Sequence, residues 1–174
     1  MVPVIRKILF TTNLSKASRD AFQYAAAMAT RHAADLVLLH VREELSMGIA
    51  QQLSGLFGEE KWKQLQSQHE RSARELIIGK ASEHEMIHRA LSSIPAIMIP
   101  ETDQGSFGSH EVVIKQGDVV DQIIDVAAAT GCDLIVIGAH TDLLGMPKIG
   151  TTARGVVHRA AVPVLITPAH EAAP

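Results

Sequence analysis

The sequence has few aromatic residues, a single cysteine and no excess of positive charge, and each of these shortages excludes a class of protein. Phe, Trp and Tyr make up 3% of the residues, so the core must be aliphatic and the aromatic rows that stack on nucleic-acid bases are lacking. Sixteen Lys and Arg against nineteen Asp and Glu give a net charge of -3, which excludes a strongly basic nucleic-acid-binding protein. The single cysteine, Cys132, cannot form a disulfide within the chain, and this fits a reducing compartment. We therefore expect a cytoplasmic protein that does not bind nucleic acid.

Long hydrophobic runs are also absent. No stretch approaches the roughly 18 consecutive apolar residues of a membrane-spanning helix. The N-terminus has no apolar run beyond Leu9 and Phe10, so we expect no signal peptide and no association with a membrane. The 174 residues, of which 47% are hydrophobic, suffice for one domain over residues 1–174 that folds without a disulfide or a metal.

Short aliphatic runs alternate with amphipathic stretches along the chain. Continuous aliphatic runs are typical of parallel strands buried on both faces, and apolar residues three or four positions apart indicate helices. The pattern predicts a doubly wound α/β fold, with a parallel sheet and helices on both of its faces. The predicted elements are strands at 5–12, 36–41, 111–115, 133–138 and 162–167, a helix at 16–32 capped by Asn13 or Ser15, a helix between Asp118 and Gly131, and a short helix capped by Thr151 or Thr152.

The middle of the chain, residues 47–110, is interpreted as an enlarged crossover between the second and third strands. A helical stretch from His84 to Leu91 is expected to stop before Pro95, and residues 97–99 are expected to be extended. The excursion at about 80–110 is longer than a crossover needs, and long loops of this kind are usually functional or disordered. We predict that it projects from the sheet core and covers either the ligand edge or a partner chain.

The stretch from Gly138 to Thr152 has the pattern of an anion site. Gly138 ends a buried strand, a loop of about a dozen residues follows, and Gly150-Thr151-Thr152 opens a helix. Backbone N–H groups at a helix N-terminus and the helix dipole favour a phosphate, and ligands of open α/β sheets bind beyond the carboxyl ends of the strands. The alternative is that these glycines and threonines serve only turning and capping.

Taken in chain order, these segments resemble the universal stress protein family. The resemblance covers most of the chain, apart from about 30 residues within 80–110. It implies a five-stranded parallel sheet of order 3-2-1-4-5, a homodimer paired through the last strand, and, in many members, ATP or AMP bound at the carboxyl edge. The segments that carry it are residues 7–12 with Asn13-Leu14-Ser15, the strand end His40-Val41, the Gly117-Asp118 turn, residues 133–138, Gly150-Thr151 and Val162-Pro163-Val164-Leu165.

The nucleotide motif of the family is only partly present. Its pattern is Gly-x-x-Gly, nine residues and Gly-Ser/Thr; Gly138 matches the first glycine, but Thr141 replaces the second and only eight residues, 142–149, precede Gly150. Asn13 stands where nucleotide-binding members usually carry Asp. The resemblance and the predicted edge together give the expected nucleotide-binding set, which is Thr12, Asn13, Val41 through its backbone toward adenine, Gly138, His140, Thr141, Gly150, Thr151 and Thr152.

These observations predict a cytoplasmic, stress-associated regulatory protein that binds ATP or AMP, with Mg²⁺ expected only alongside ATP. The alternative is a nucleotide-free dimeric interaction module of the same fold. In either case the expected homodimer contact is the C-terminal edge strand, because an unpaired edge invites pairing with another chain. The dimer residues are Val162, Val164, Leu165 and Ile166.

A different motif, His84-Glu85-x-x-His88, matches the His-Glu-x-x-His pattern of zinc hydrolases. On a helix the two histidines share a face and could hold zinc, with Glu85 as the base. No third ligand is recognisable, so two solvated histidines on an exposed helix are the favoured interpretation. No Ser/His/Asp set or phosphate-loop lysine is recognisable either, and we expect binding rather than catalysis.

Overall fold

The computed structural model describes residues 3–42, 55–56, 58, 60, 83–98, 108–141 and 147–168. The elements in chain order are β1 (Lys7–Thr12), α1 (Lys16–His32), β2 (Asp35–Arg42), α2 (Glu83–Met98), β3 (His110–Gln116), α3 (Val119–Thr130), β4 (Leu134–Gly138), β5 (His140–Thr141), β6 (Pro147–Lys148), α4 (Thr151–Arg159) and β7 (Val164–Thr167).

Five strands form a parallel sheet in the order β3-β2-β1-β4-β7. Counted along the chain within this sheet, the order is 3-2-1-4-5, which confirms the prediction. Successive side chains of a strand point to opposite faces, and the core is accordingly divided in two. Phe10 packs with residues of α1 and α2 on one face, whereas Leu9 packs with residues of α3 and α4 on the other. The doubly wound α/β class is therefore confirmed.

Local capping sets most helix ends. The Ser15 hydroxyl accepts the backbone N–H of Ser18 at 3.3 Å and begins α1, and Asp118 caps α3 in the same way. Gly131 ends α3 with a φ of 63°, a left-handed conformation that glycine adopts without steric cost. The prediction for α4 was wrong, because Gly150 is its N-cap. Thr151 and Thr152 are the first residues inside that helix, so their hydroxyls do not cap it.

Two aspartates, each directly before or at the start of a strand, tie neighbouring strands together at the amino edge of the sheet. Asp133 Oδ2 accepts the backbone N–H groups of Arg6 at 2.8 Å and Lys7 at 3.0 Å. Asp35 Oδ1 accepts both the backbone N–H of Ser109, at 2.7 Å, and its hydroxyl, at 3.0 Å. These bonds fix where β1 and β3 enter the sheet.

Helix α2 corrects two predictions about the middle of the chain. It continues through Pro95 to Met98, so residues 97 and 98 are helical rather than extended. Ile87, Leu91 and Ile94 are fully buried in the core, so residues 83–98 do not project from the sheet but cover one face of it. Burial of these side chains outweighs the helix hydrogen bond that Pro95 cannot donate. The rest of the excursion, residues 80–82 and 99–107, lies outside the described residues.

Strand bounds differ from the prediction at both edges of the sheet. β3 is longer than expected and includes His110 and Gln116. β7 begins at Val164 instead of Val162, because Pro163 has no N–H with which to pair. Its carbonyl nevertheless accepts the N–H of Ile135 at 3.0 Å, which leads β7 into register with β4.

Candidate functional site

The carboxyl edge of the sheet carries a row of polar strand ends. Thr12 is in register with His40 of β2, and Gly138 is in register with Thr167 of β7. Thr12, His40 and Thr167 are all buried. β2 lies on one side of β1 in the sheet and β4 lies on the other. The strand order therefore reverses between β1 and β4. Ligands of open α/β sheets bind at this point.

His40 joins the ends of β1 and β2. Its Nδ1 lies 2.9 Å from the carbonyl oxygen of Thr12, and a carbonyl can only accept, so Nδ1 carries a proton. The ring is 5% exposed. His40 therefore has a structural partner within the sheet.

A network of short-range hydrogen bonds shapes the turn from β1 into α1. Thr12 Oγ1 accepts the N–H of Leu14 at 3.0 Å, and Asn13 N–H donates to Ser18 Oγ at 3.2 Å. Asn13 Oδ1 in turn accepts the Ser18 hydroxyl at 2.6 Å and the N–H of Ser15 at 3.2 Å. Asn13 itself is exposed, so the network holds an exposed amide at the end of β1.

Leu14 adopts a φ of 62°, which is uncommon for a residue with a side chain. A left-handed leucine costs roughly 1–2 kcal/mol, and full burial of its side chain in the core offsets that cost. The sequence predicted Asn13 as a site residue, but it did not reveal the roles of Ser18 and Leu14. The sequence signal for Ser18 was its position three residues after Ser15, where its hydroxyl bonds Asn13 in the turn before α1.

A two-stranded hairpin folds the chain back between β4 and α4. β5 and β6 pair antiparallel, with His140 opposite Lys148 and Thr141 opposite Pro147. This pairing brings Gly138 and Gly150, which flank the hairpin, to its base. Residues 142–146, between the two strands, lie outside the described residues. The hairpin was not predicted, because two-residue strands leave no periodic signal.

The N-terminus of α4 opens at the base of this hairpin. Gly150 is buried and has no side chain to bond the first helical N–H groups. Those groups lack partners inside the helix and attract anions. Thr151 is exposed and Thr152 half-buried, and both belong to the first turn of the helix. The arrangement suits a phosphate or a carboxylate.

Helix α4 is held against α3 by a close contact and an ion pair. A Cβ built on Gly155 would lie 2.9 Å from Cγ2 of Val120, so the glycine permits the two helices to approach. Arg159 and Asp121 form a salt bridge of 2.6 Å near the other end of α4. These contacts fix the direction of the helix whose N-terminus faces the carboxyl edge.

The zinc motif finds no support in the part of the chain that the structure describes. No group of three or more His, Cys, Asp or Glu there could hold a metal ion. Glu85 and His88 are exposed on α2, and the hydroxyl of Ser92 lies 3.5 Å from His88 Nδ1. The side chain of His84 lies outside the described residues.

Cys132 is buried in the core next to Asp133, at the amino edge of the sheet and away from the carboxyl edge. Burial raises the pKa of its thiol, and the negative charge of Asp133 raises it further. A thiol held in its protonated form is a poor nucleophile.

The sheet order defines a doubly wound α/β protein whose strand order reverses between β1 and β4, with polar strand ends at the carboxyl edge. The model of the universal stress protein family matches residues 5–168. The chain therefore belongs to the universal stress protein family, and the resemblance inferred from the sequence is confirmed. Among the described residues, none of the helices has the length and apolarity required to cross a bilayer.

Individual relatives are distant but cover nearly the whole chain. Universal stress protein MJ0577 of Methanocaldococcus jannaschii is 23% identical over 169 residues, 95% of this chain and 96% of the relative. A universal stress protein solved in complex with cAMP has a TM-score of 0.58 at 16% identity and covers 97% of this chain and 100% of its own. A universal stress protein from Archaeoglobus fulgidus in complex with dAMP has a TM-score of 0.50 at 18% identity, covering 95% and 98%. Such structures share the fold.

Proposed function

We propose that this protein is a cytoplasmic, stress-associated regulator that binds an adenine nucleotide at the carboxyl edge. The observation that carries the proposal is the N-terminus of α4, where Gly150 leaves the first helical N–H groups without a capping side chain. Charge-assisted bonds from such groups to phosphate are strong. Complexes of related folds with cAMP and dAMP support adenine as the base.

In this proposal the base, the ribose and the phosphates meet different elements of the carboxyl edge. Adenine lies against the backbone of Val41, at the end of β2, and ribose lies between Asn13 and Gly138. Phosphates bind the N-terminus of α4 at Gly150 and Thr151, with Thr152 alongside. His140 and Thr141 belong to the hairpin that flanks the phosphates.

The departures from the family motif set the expected affinity. Thr141 brings a Cβ where the motif has a glycine, and the spacer before Gly150 is one residue shorter than in the motif. Both changes narrow the phosphate end, because a Cβ takes the room that a phosphate needs near the backbone. We therefore expect micromolar or weaker binding, with AMP preferred over ATP, and Mg²⁺ engaged only together with ATP.

Titration calorimetry of the purified chain with AMP, ADP and ATP tests the proposal, together with mass spectrometry of the denatured protein for retained nucleotide. Gly150→Val crowds the N-terminus of α4 and should weaken binding by at least about tenfold. The control is His158→Ala, which alters an exposed residue in the last turn of the same helix and should bind normally. Absence of binding at millimolar nucleotide would refute the proposal and leave the nucleotide-free interaction module as the better explanation.

We also propose that the protein forms a homodimer through β7. This strand pairs with β4 on one side and, among the described residues, is the last strand of its sheet. Val162, Val164, Leu165 and Ile166 are only half-buried within the described chain, and pairing with a second β7 would bury them further and occupy the free edge.

Sedimentation at micromolar concentration tests the dimer. We expect a dimer for the unmodified chain and a monomer for Leu165→Lys. Because Leu165 also packs against the core, the sedimentation of the milder variant Val164→Thr provides a second measurement of the oligomeric state. Circular dichroism checks that both variants fold. A monodisperse monomer of the unmodified protein contradicts the proposal.

A further inference from the structure

The side-chain amide of Asn13 is held in one orientation by the first turn of α1. The backbone N–H of Ser15, 3.2 Å away, can only donate, so the amide atom that faces it is Oδ1. The Ser18 hydroxyl, at 2.6 Å, donates to the same oxygen, because an amide oxygen can only accept. The orientation of the amide is therefore determined by its partners.

This orientation leaves the Nδ2 group as the part of Asn13 that can meet a ligand. Asn13 is exposed at the end of β1, and its bonds within the described residues go to its N–H and its Oδ1. Nδ2 carries two hydrogens and no lone pair to accept with. An aspartate in the same pose would instead present a negatively charged acceptor, so the asparagine reverses the hydrogen-bonding sense of this position and removes its negative charge.

The local charge agrees with that reversal. The first turn of α1 contains no acidic residue, and the dipole of this 17-residue helix adds partial positive charge at its N-terminus. A ribose hydroxyl can donate or accept and meets either side chain equally well. An ionised phosphate ester only accepts, and it gains both from the Nδ2 donors and from the absence of a carboxylate.

We propose that Asn13 makes the carboxyl edge selective for adenine nucleotides that carry a second phosphate on a secondary ribose hydroxyl, 2′ or 3′. The inference rests on the proposed adenine-nucleotide site and specifies the chemistry of its ribose end. Nδ2 donates to the added phosphate, and the 5′-phosphate occupies the N-terminus of α4. Asn13 is thus the specificity-determining residue of the site.

Calorimetry with three ligands isolates this effect, since adenosine 3′,5′-bisphosphate and adenosine 2′,5′-bisphosphate each differ from 5′-AMP by one phosphate. We expect one of the bisphosphates to bind the unmodified chain about tenfold more tightly than 5′-AMP, and the pair of ligands shows which hydroxyl carries the group. Asn13→Asp keeps Oδ1 and its bonds to Ser15 and Ser18, so the fold should persist, and it should abolish or invert the preference while retaining 5′-AMP.

The matched control is Gln23→Glu, the same change from amide to carboxylate at an exposed position of α1, and it should keep the preference. Thermal melts verify that each variant is folded. Equal binding of the bisphosphates and 5′-AMP to the unmodified chain, or a preference that survives Asn13→Asp, overturns the inference while the nucleotide site stands. Failure of all three ligands to bind overturns the inference, and failure of ADP and ATP as well overturns the nucleotide site.

Discussion

Replacing Gly155 by alanine tests whether a single missing Cβ sets the spacing of α3 and α4. A Cβ at this position would lie 2.9 Å from Cγ2 and 3.2 Å from Cγ1 of Val120. Valine is stiff in a helix because one χ1 rotamer dominates, so it cannot swing its methyl groups aside. The helices must separate, and the N-terminus of α4 moves with them.

Two opposing contributions decide the size of the effect. Alanine in place of a helical glycine stabilises by roughly 0.5–1 kcal/mol, whereas overpacking costs about 1–3 kcal/mol. We therefore expect Gly155→Ala to lower the free energy of unfolding by about 1 kcal/mol. Val120→Ala removes the obstructing methyl groups of a half-buried residue, and we expect it to cost about 1 kcal/mol by itself.

The double variant separates a steric contact from an effect of either residue alone. With alanine at both positions the added Cβ fits into the space left by the valine methyl groups, so the double variant should be more stable than the sum of the two losses by about 1–2 kcal/mol. Urea denaturation followed by circular dichroism measures all four proteins. Additive losses, or a Gly155→Ala protein as stable as the parent, would refute the contact as the determinant of the helix spacing.

Three further predictions concern single side chains. Asp133→Ala removes the acceptor of the Arg6 and Lys7 N–H groups and should cost about 2 kcal/mol in urea denaturation, with Asp133→Asn recovering part of the loss; an unchanged stability would contradict this role. Thr167→Val removes a buried hydroxyl that has no partner in the described part of the chain, so thermal denaturation should show equal or higher stability, by up to about 1–2 kcal/mol, and a clear loss would reveal a partner. Burial raises the pKa of the Cys132 thiol in the folded protein, so the stability that the protonated thiol contributes is present below the unfolded pKa and is lost as pH rises through the folded pKa. Iodoacetamide should therefore label the native protein far more slowly than the urea-unfolded protein. Equal labelling rates would contradict the burial of the thiol.

Elements whose ends depend on neighbouring residues were predictable from the sequence. The bounds of α1, 16–32, were predicted as the structure has them, because the cap at Ser15 and the helical periodicity both act within a few residues. The cap at Asp118 and the left-handed Gly131 were found for the same reason. The order of the sheet did not follow from such local signals; it was implied by the resemblance to the family.

Features that depend on tertiary burial were not predictable. Pro95 is a local signal for a helix end, but burial of Ile94 and its neighbours keeps α2 helical beyond it. At the site, Asn13 and Gly150 were recognisable as residue types. The orientation of the Asn13 amide was not, because it is set by the bonds of Oδ1 to Ser15 and Ser18. These bonds form in a turn that includes Leu14, whose left-handed backbone and buried side chain the sequence did not reveal.

The aspartate ties at the amino edge make this chain a framework for building new binding specificities. Asp133 and Asp35 fix the entry of β1 and β3 from the side of the sheet opposite the strand ends that would meet a ligand. These bonds therefore hold the strand register at the amino edge, independently of any ligand at the carboxyl edge. A library of substitutions at Asn13 and the β5–β6 hairpin can therefore vary the recognised molecule while the ties that align the strands remain untouched.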